Sequence, residues 1–250
     1  MRLPAGYERG ASLNAEFIAI AADHALVARA IESDGSLSRY AARQLGSRAL
    51  PGRGTVHVMA ANGTHWAVRH YQRGGAAAGI LRDRYLAAKT PRPFAELLTS
   101  ATARERGIAT PRVTAAVTYD AGLFYRADIA TSFVANAADL ATLSLGARAW
   151  PMDERVAAWG AAGAMLHMCF DVGLVHPDLN LKNILIERTA AGAAAHVIDL
   201  DRAHLGAKVT IAQRDHMLAR FERSRLKIEH ATGRRASAEE QRALREGLNA

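Results

Sequence analysis

The chain has 250 residues, 50% hydrophobic and 22% charged, with one cysteine and a formal net charge of +8. That length and apolar content support a sizeable core in one domain, or in two lobes around a cleft, and exclude disordered and fibrous classes. Cys169 alone leaves no internal disulfide framework and suits a reducing compartment, while the surplus of cations points to an anionic partner.

In chain order, the opening "MRLPAGYERG" lacks the apolar stretch of a secretory signal. Residues 1–40 stay open, because "NAEFIAIAADHALVARAIES" fits a strand pair or a helix. The pattern clears from Pro51. "GRGTVHVMA" puts Gly52 and Gly54 ahead of an alternating run with Val56 and Val58 on one face. Glycines there permit close backbone approach to phosphates. Asn62-Gly63 is a strong two-residue hairpin signal, and "HWAVRHY" is the return strand, which completes a small antiparallel sheet.

A basic insertion follows, with Arg69 at its edge and Arg73, Arg82, Arg84, Lys89 and Arg92 against one acid, Asp83. "FAELLTSATARERG" predicts a helix, with Phe94, Leu97, Leu98 and Ala101 on one stripe and Gly107 as its stop. "RVTAAVTYDAGLFYRADIATSF" predicts two strands around Asp120-Ala121-Gly122. "ADLATLSL" (138–145) and residues 153–172 read as helical, residues 174–200 as short strands, and the tail from Arg202 as a basic helical region with 11 Lys/Arg and 6 Asp/Glu. The order is therefore a sheet-rich lobe, a linker near 132–138 and a helix-rich lobe. "VAAWGAAGAMLHMCFDVGLV" (156–175) has membrane-like hydropathy. His167 and Asp171 within it, and its reliance on Gly, Ala and Met, favour a buried core helix. His167, Cys169, Trp66, Trp150 and Trp159 are read as packing residues, and His70 and Tyr71 as either structural or ligand-facing.

The chemistry is concentrated in "GLVHPDLNLKNILI" (173–186), where polar groups stand between two aliphatic segments. His176-x-Asp178-x-x-x-x-Asn183 has the spacing of a phosphotransferase catalytic loop. In such a loop the Asp accepts or orients the acceptor hydroxyl proton and the Asn holds magnesium. Asp199, sixteen residues beyond Asn183 in "HVIDLDRA", ends an apolar strand and supplies a second hard oxygen ligand for that metal. Arg69 in "WAVRHY" occupies the strand position where protein kinases place a lysine, and Glu96 on the following helix is its natural partner, ahead of Glu105 near that helix's C-terminus. Aromatics at 6%, with no zinc-finger spacing and no RNA-binding signature, argue against a nucleic-acid partner. No protein partner is indicated.

"GRGTV", "VRHYQRGG", "RDRYL", "RPFAEL", "ARERGIATPRV", "LFYRADI", "LVHPDLNLKNILI" and "VIDLDRA", in this order over residues of about 50 to 205, resemble the lipopolysaccharide kinase family. Arg69 at the lysine position is typical of that family; residues 1–45 match nothing in it. The resemblance implies an α+β, protein-kinase-like two-lobed fold. Its antiparallel-sheet N-lobe would lie at about 45–135 and its mainly helical C-lobe at about 136–250. It also implies ATP-dependent phosphorylation of a 3-deoxy-D-manno-octulosonic acid (Kdo) sugar on the lipid A precursor. The enzyme would work as a peripheral protein at the cytoplasmic face of the inner membrane, against an anionic surface. Gly52, Gly54, Arg69, Glu96, Asn183 and Asp199 are then the ATP-binding residues, Asp178 the catalytic residue, and Asn183 and Asp199 the Mg2+ ligands. An aminoglycoside-type phosphotransferase shares the Asp and Asn spacing, and an inactive nucleotide-binding scaffold is the reading from another class. A protein kinase is disfavoured: Pro177 and Asn180 replace the expected Arg and Lys, and no A-P-E signature occurs after Asp199.

Overall fold

A computed structural model describes residues 2–50, 55–72 and 83–250. Gly52 and Gly54, together with Arg73 and Arg82 of the basic insertion, lie outside the described residues. The chain divides into two compact units, Met1–Ala101 with Arg112–Phe133, and Thr102–Pro111 with Val134–Ala250.

The first unit begins with β1 (Tyr7–Ser12) and β2 (Ala15–Ile20), followed by α1 (His24–Asp34) and α2 (Leu37–Arg43). The stretch that fits either a strand pair or a helix contains both kinds of element, one after the other. Phe17 and Ala19 point to one face of β2 and Ile18 to the other, all fully buried, which is the two-residue period of a strand covered on both sides. From His24 the spacing becomes helical, with Val27, Ala30 and Ile31 buried, and Gly35 ends α1 in the left-handed conformation.

Next come β3 (Arg48–Leu50), β4 (Val56–Ala61), β5 (Thr64–His70), β6 (Tyr85–Leu86), α3 (Arg92–Glu105), β7 (Val113–Ala121) and β8 (Phe124–Ser132). The strands form one antiparallel sheet in the order β1-β2-β7-β8-β5-β4-β3, with β6 also paired to β8. Asn62 and Gly63 both take positive φ and close the β4–β5 hairpin, as the dipeptide predicts. The sheet has a core on each face. Phe17, Met59, Trp66, Val68 and Val117 pack with Val27 and Ile31 of α1 and Leu37 of α2; Ile18, Tyr71, Ala116, Tyr125 and Ile129 pack with Phe94 and Leu97 of α3. The alternating run of β4 is buried on both faces: Val58 and Met59, which point to opposite sides, are both buried, and Met59 packs with α1 and α2.

The second unit holds β9 (Ala137–Asp139), α4 (Leu140–Leu145), α5 (Met152–Asp171), β10 (Leu174–Val175), β11 (Ile184–Thr189), β12 (Gly192–Val197), β13 (His204–Leu205), α6 (Ile211–Thr232) and α7 (Ala238–Leu248). The helix expected from Ala138 starts two residues later. Asp139 pairs with Leu185 and caps α4, its Oδ1 accepting from the Thr142 N–H at 2.9 Å.

The apolar segment forms α5, which buries Trp159, Leu166, Cys169 and Phe170, and α7 lies directly on it. The approach is so close that a Cβ on Gly163 would sit 2.3 Å from the Leu244 carbonyl oxygen. Among the described residues no helix is long and apolar enough to cross a membrane. Burial raises the Cys169 thiol pKa to about 12, which leaves it protonated and inert. His167 departs from its expected packing role: it is partly exposed, with Nδ1 at 3.1 Å from the Leu248 carbonyl and Nε2 at 3.1 Å from Asp171, and so pins the end of α7 to α5.

Candidate active site

In the first unit, Arg69 near the end of β5 reaches Glu96 on α3. Its Nη2 donates to Oε1 at 3.2 Å and to Oε2 at 3.1 Å. Glu96 is 5% exposed, so its carboxylate requires such partners. The Tyr71 hydroxyl donates to the same carboxylate, and the Arg69 guanidinium lies 4.9 Å from the Tyr71 ring centroid. Tyr71 is therefore a buried support of the ion pair. The rival acid, Glu105, is exposed at the last position of α3. The side chain of Arg69 is 32% exposed.

His70 points to the opposite face of the sheet. Its Nδ1 is 2.6 Å from Asp128 Oδ1 and its Nε2 is 3.0 Å from Asp83 Oδ2. Asp128 is wholly buried; its Oδ2 accepts from the Ser38 N–H at 2.8 Å and the Tyr119 hydroxyl at 2.7 Å. The hydrogen bond to Asp128 raises the His70 pKa, burial opposes this, and Asp83 adds to the rise. His70 is accordingly structural: it ties α2 to the sheet through Asp128.

In the second unit, the polar loop is fixed by its own bonds. Asn180 caps the short 3-10 turn Leu181–Asn183, accepting from the Lys182 N–H at 2.9 Å. The side-chain amides of Asn180 and Asn183 both donate to the Asp178 carbonyl, at 2.7 and 3.1 Å. These bonds engage the Asn183 nitrogen and leave Oδ1 as the atom that can take a cation. His176 is buried, and its Nε2 donates to the Ile198 carbonyl at 3.1 Å. Burial pushes its pKa down, so the ring is neutral, and the carbonyl fixes the proton on Nε2. The Ile198 N–H in turn donates to the Asn183 carbonyl at 3.0 Å. Both bonds meet at Ile198, which fastens the His176–Asn183 loop to the strand end preceding Asp199. Asp199 itself adopts φ +64°, a left-handed conformation that few non-glycine residues occupy. Residues held in this way concentrate where function demands a fixed side-chain direction.

Two residues that the sequence reading passed over complete this site. Arg220 on α6 donates from Nη2 to Asp178 Oδ1 at 2.6 Å, and Arg202, at the end of the 3-10 turn after Asp199, donates from Nη1 to Oδ2 at 3.4 Å. Arg202 is legible as the cation that closes "DLDR". Arg220 carries no motif; its only signal is a place on the same helix stripe as the buried Met217 and Phe221.

A catalytic-type loop, a bonded metal-type strand end and a buried Arg–Glu pair are the parts of a phosphotransferase. The family model described as lipopolysaccharide kinase (Kdo/WaaP) matches residues 37–241. The chain belongs to this family. It is a kinase. Among similar proteins, a 3-deoxy-D-manno-octulosonic acid kinase of Xanthomonas oryzae pv. oryzae is 35% identical over 203 residues, covering 79% of this chain and 77% of its own length. One from Haemophilus influenzae is 33% identical over 158 residues, covering 60% and 64%. A solved structure of WaaP in complex with acyl carrier protein superposes with a TM-score of 0.53 at 18% identity, covering 86% of this chain and 83% of that one, and carries the kinase-like fold. The lipopolysaccharide kinase match begins at Leu37, the first residue of α2, so residues 37–45, read from the sequence as matching nothing in the family, fall inside it. The strands β1 and β2 and the helix α1 lie outside it.

Proposed function

We propose that this kinase transfers the γ-phosphate of ATP to a hydroxyl of a Kdo sugar on the lipid A precursor. The observation that supports the chemistry is the double bond network at Ile198, which holds the Asp178–Asn183 loop against Asp199. The acceptor is supported by the shared function of relatives that span 79% of the chain. In this reading Asp178 receives the proton of the acceptor hydroxyl. The hydroxyl oxygen bonds to the γ-phosphorus as the bond to the bridging oxygen breaks, and ADP leaves with that electron pair. Arg69, held by Glu96, is the cation proposed to meet phosphate oxygens. Gly52 and Gly54, outside the described residues, remain proposed ATP-binding residues.

Among the described residues no group of three His, Cys, Asp or Glu forms a metal cluster. Magnesium in a kinase needs fewer protein ligands, because the phosphates and water supply the rest of its shell. Asp199 Oδ and Asn183 Oδ1 fit that donor set, and the ion they would hold neutralises charge on the transferring phosphate. The protein is further proposed to work at the cytoplasmic face of the inner membrane. Its net charge of +8 and basic tail attract it to anionic head groups, each nearby cation adding about 1 kcal/mol.

The test is transfer of labelled γ-phosphate, with magnesium present, to a Kdo-bearing lipid A precursor and to a soluble aminoglycoside in parallel. The reading requires label in the lipid and none in the aminoglycoside; the reverse would assign the alternative phosphotransferase activity.

A further inference from the structure

The Asp178 carboxylate is bracketed by two guanidinium groups, one on each oxygen, at 2.6 Å from Arg220 and 3.4 Å from Arg202. Asp178 thus has two cationic partners, one on each carboxylate oxygen. Each bond to Asp178 uses one nitrogen of its arginine, while a guanidinium offers five N–H donors in a planar fork. The arginine side chains remain 57% and 40% exposed, and Arg220 Nε is buried with no hydrogen-bond partner among the described residues. The two come from different elements, the turn after Asp199 and the middle of α6, which converge on this one carboxylate. Such an arrangement does more than steady a base. It sets further N–H donors of both guanidinium groups beside Asp178.

We propose that Arg202 and Arg220 bind the carboxylate of the acceptor sugar and make this kinase selective for acidic sugars. The inference rests on the Kdo reading above. A sugar acid brings its own carboxylate to the site, where the two forks share it with Asp178 and so fix which hydroxyl faces the base. A cationic acceptor such as an aminoglycoside meets repulsion at the same place. In the reading above Arg69, Asn183 and Asp199 serve the nucleotide, and these two cations, which touch Asp178, serve the acceptor.

The experiment compares kcat/KM for a Kdo-bearing lipid acceptor and for the same acceptor with its Kdo carboxylate methylated. It is run on the parent protein, Arg202→Gln, Arg220→Gln and the two Arg→Lys variants. In the parent, losing the charge-assisted contact should cost about 10- to 100-fold. In either Gln variant the penalty should fall to about 3-fold or less, because the partner is already gone; the Lys variants should lie between. Each protein is compared with itself, so misplacement of Asp178 or loss of folded protein lowers both rates and leaves the ratio intact. A parent-sized penalty in the Gln variants overturns the inference, as does a rise in the KM for ATP with the acceptor ratio unchanged, which would turn the arginines to the γ-phosphate. Parent turnover on the Kdo acceptor with no methylation penalty sinks this inference alone. No parent turnover on any Kdo acceptor sinks the Kdo reading, and the inference with it.

Discussion

Replacing Gly163 by alanine adds one methyl group to α5, at the point where α7 lies against it. An ideal Cβ there would be 2.3 Å from the Leu244 oxygen, 3.0 Å from the Leu248 nitrogen and 3.1 Å from the Gly247 Cα. All three are backbone atoms, so no side chain can swing away, and α7 must shift as a body. Gly160, three residues earlier on the same helix, supplies the control. A Cβ there meets nothing nearer than 3.9 Å. Helix propensity favours alanine over glycine by about 1 kcal/mol at both positions, and overpacking at Gly163 costs up to about 3 kcal/mol. Gly160→Ala should therefore gain as much as about 1 kcal/mol, and Gly163→Ala should lose about 2. At about 2–4 °C per kcal/mol in a chain of this size, the two melting midpoints should separate by about 6–12 °C, read by far-UV circular dichroism. If both variants rise together, α7 does not pack on α5, and the burial of this apolar segment is explained wrongly.

Asp178→Asn should remove most turnover with ATP affinity nearly unchanged, whereas Asp199→Asn should raise the magnesium requirement for ATP binding; asparagine tolerates the left-handed backbone at 199, so the fold persists. Normal turnover in the first, or unaltered magnesium dependence in the second, would contradict these roles. Arg69→Lys keeps the charge but loses the planar guanidinium fork, and steady-state kinetics should show a raised KM for ATP in a folded protein; parent-like kinetics would mean that charge alone suffices. His176 has its pKa lowered by burial, so the stability it contributes is present above the ordinary histidine value of 6.5 and is lost as pH falls from there towards the folded value. The difference in denaturation midpoint between the parent and His176→Gln should shrink on acidification below about pH 6.5, and a constant difference would refute the sign. Binding to anionic vesicles at low salt should weaken as salt shortens the Debye length, and sedimentation indifferent to salt would rule out electrostatic docking.

What could be read in advance was whatever depends on local pattern. The Asn62-Gly63 turn, the β7–β8 hairpin, α3 with its stop at Gly107, and the loop at 173–186 each carry their conformation in a few adjacent residues. The first 43 residues resisted because their apolar positions change from a two-residue to a helical period near Ala21, and no glycine or proline marks the change. Their place in the fold depends on partners far along the chain: β2 pairs with β7, and α2 is fastened through Ser38, Tyr119 and Asp128. The same limit hid the arginines at Asp178. Arg220 lies 42 positions from the residue it contacts, and in a basic tail with 11 Lys/Arg its place on the Met217–Phe221 stripe is too weak a signal to single it out. Glu96 was reachable because its rival on the same helix, Glu105, stands near the C-terminus, where an acid is less favoured.

Mass spectrometry of the lipid product tests the central claim most directly. Purified protein, ATP and magnesium are supplied with a Kdo-bearing lipid A precursor, and fragment ions locate any added phosphate. The account predicts one phosphate on the Kdo sugar, dependent on ATP and absent with Asp178→Asn. An unmodified lipid after incubation with folded, ATP-binding protein would contradict it.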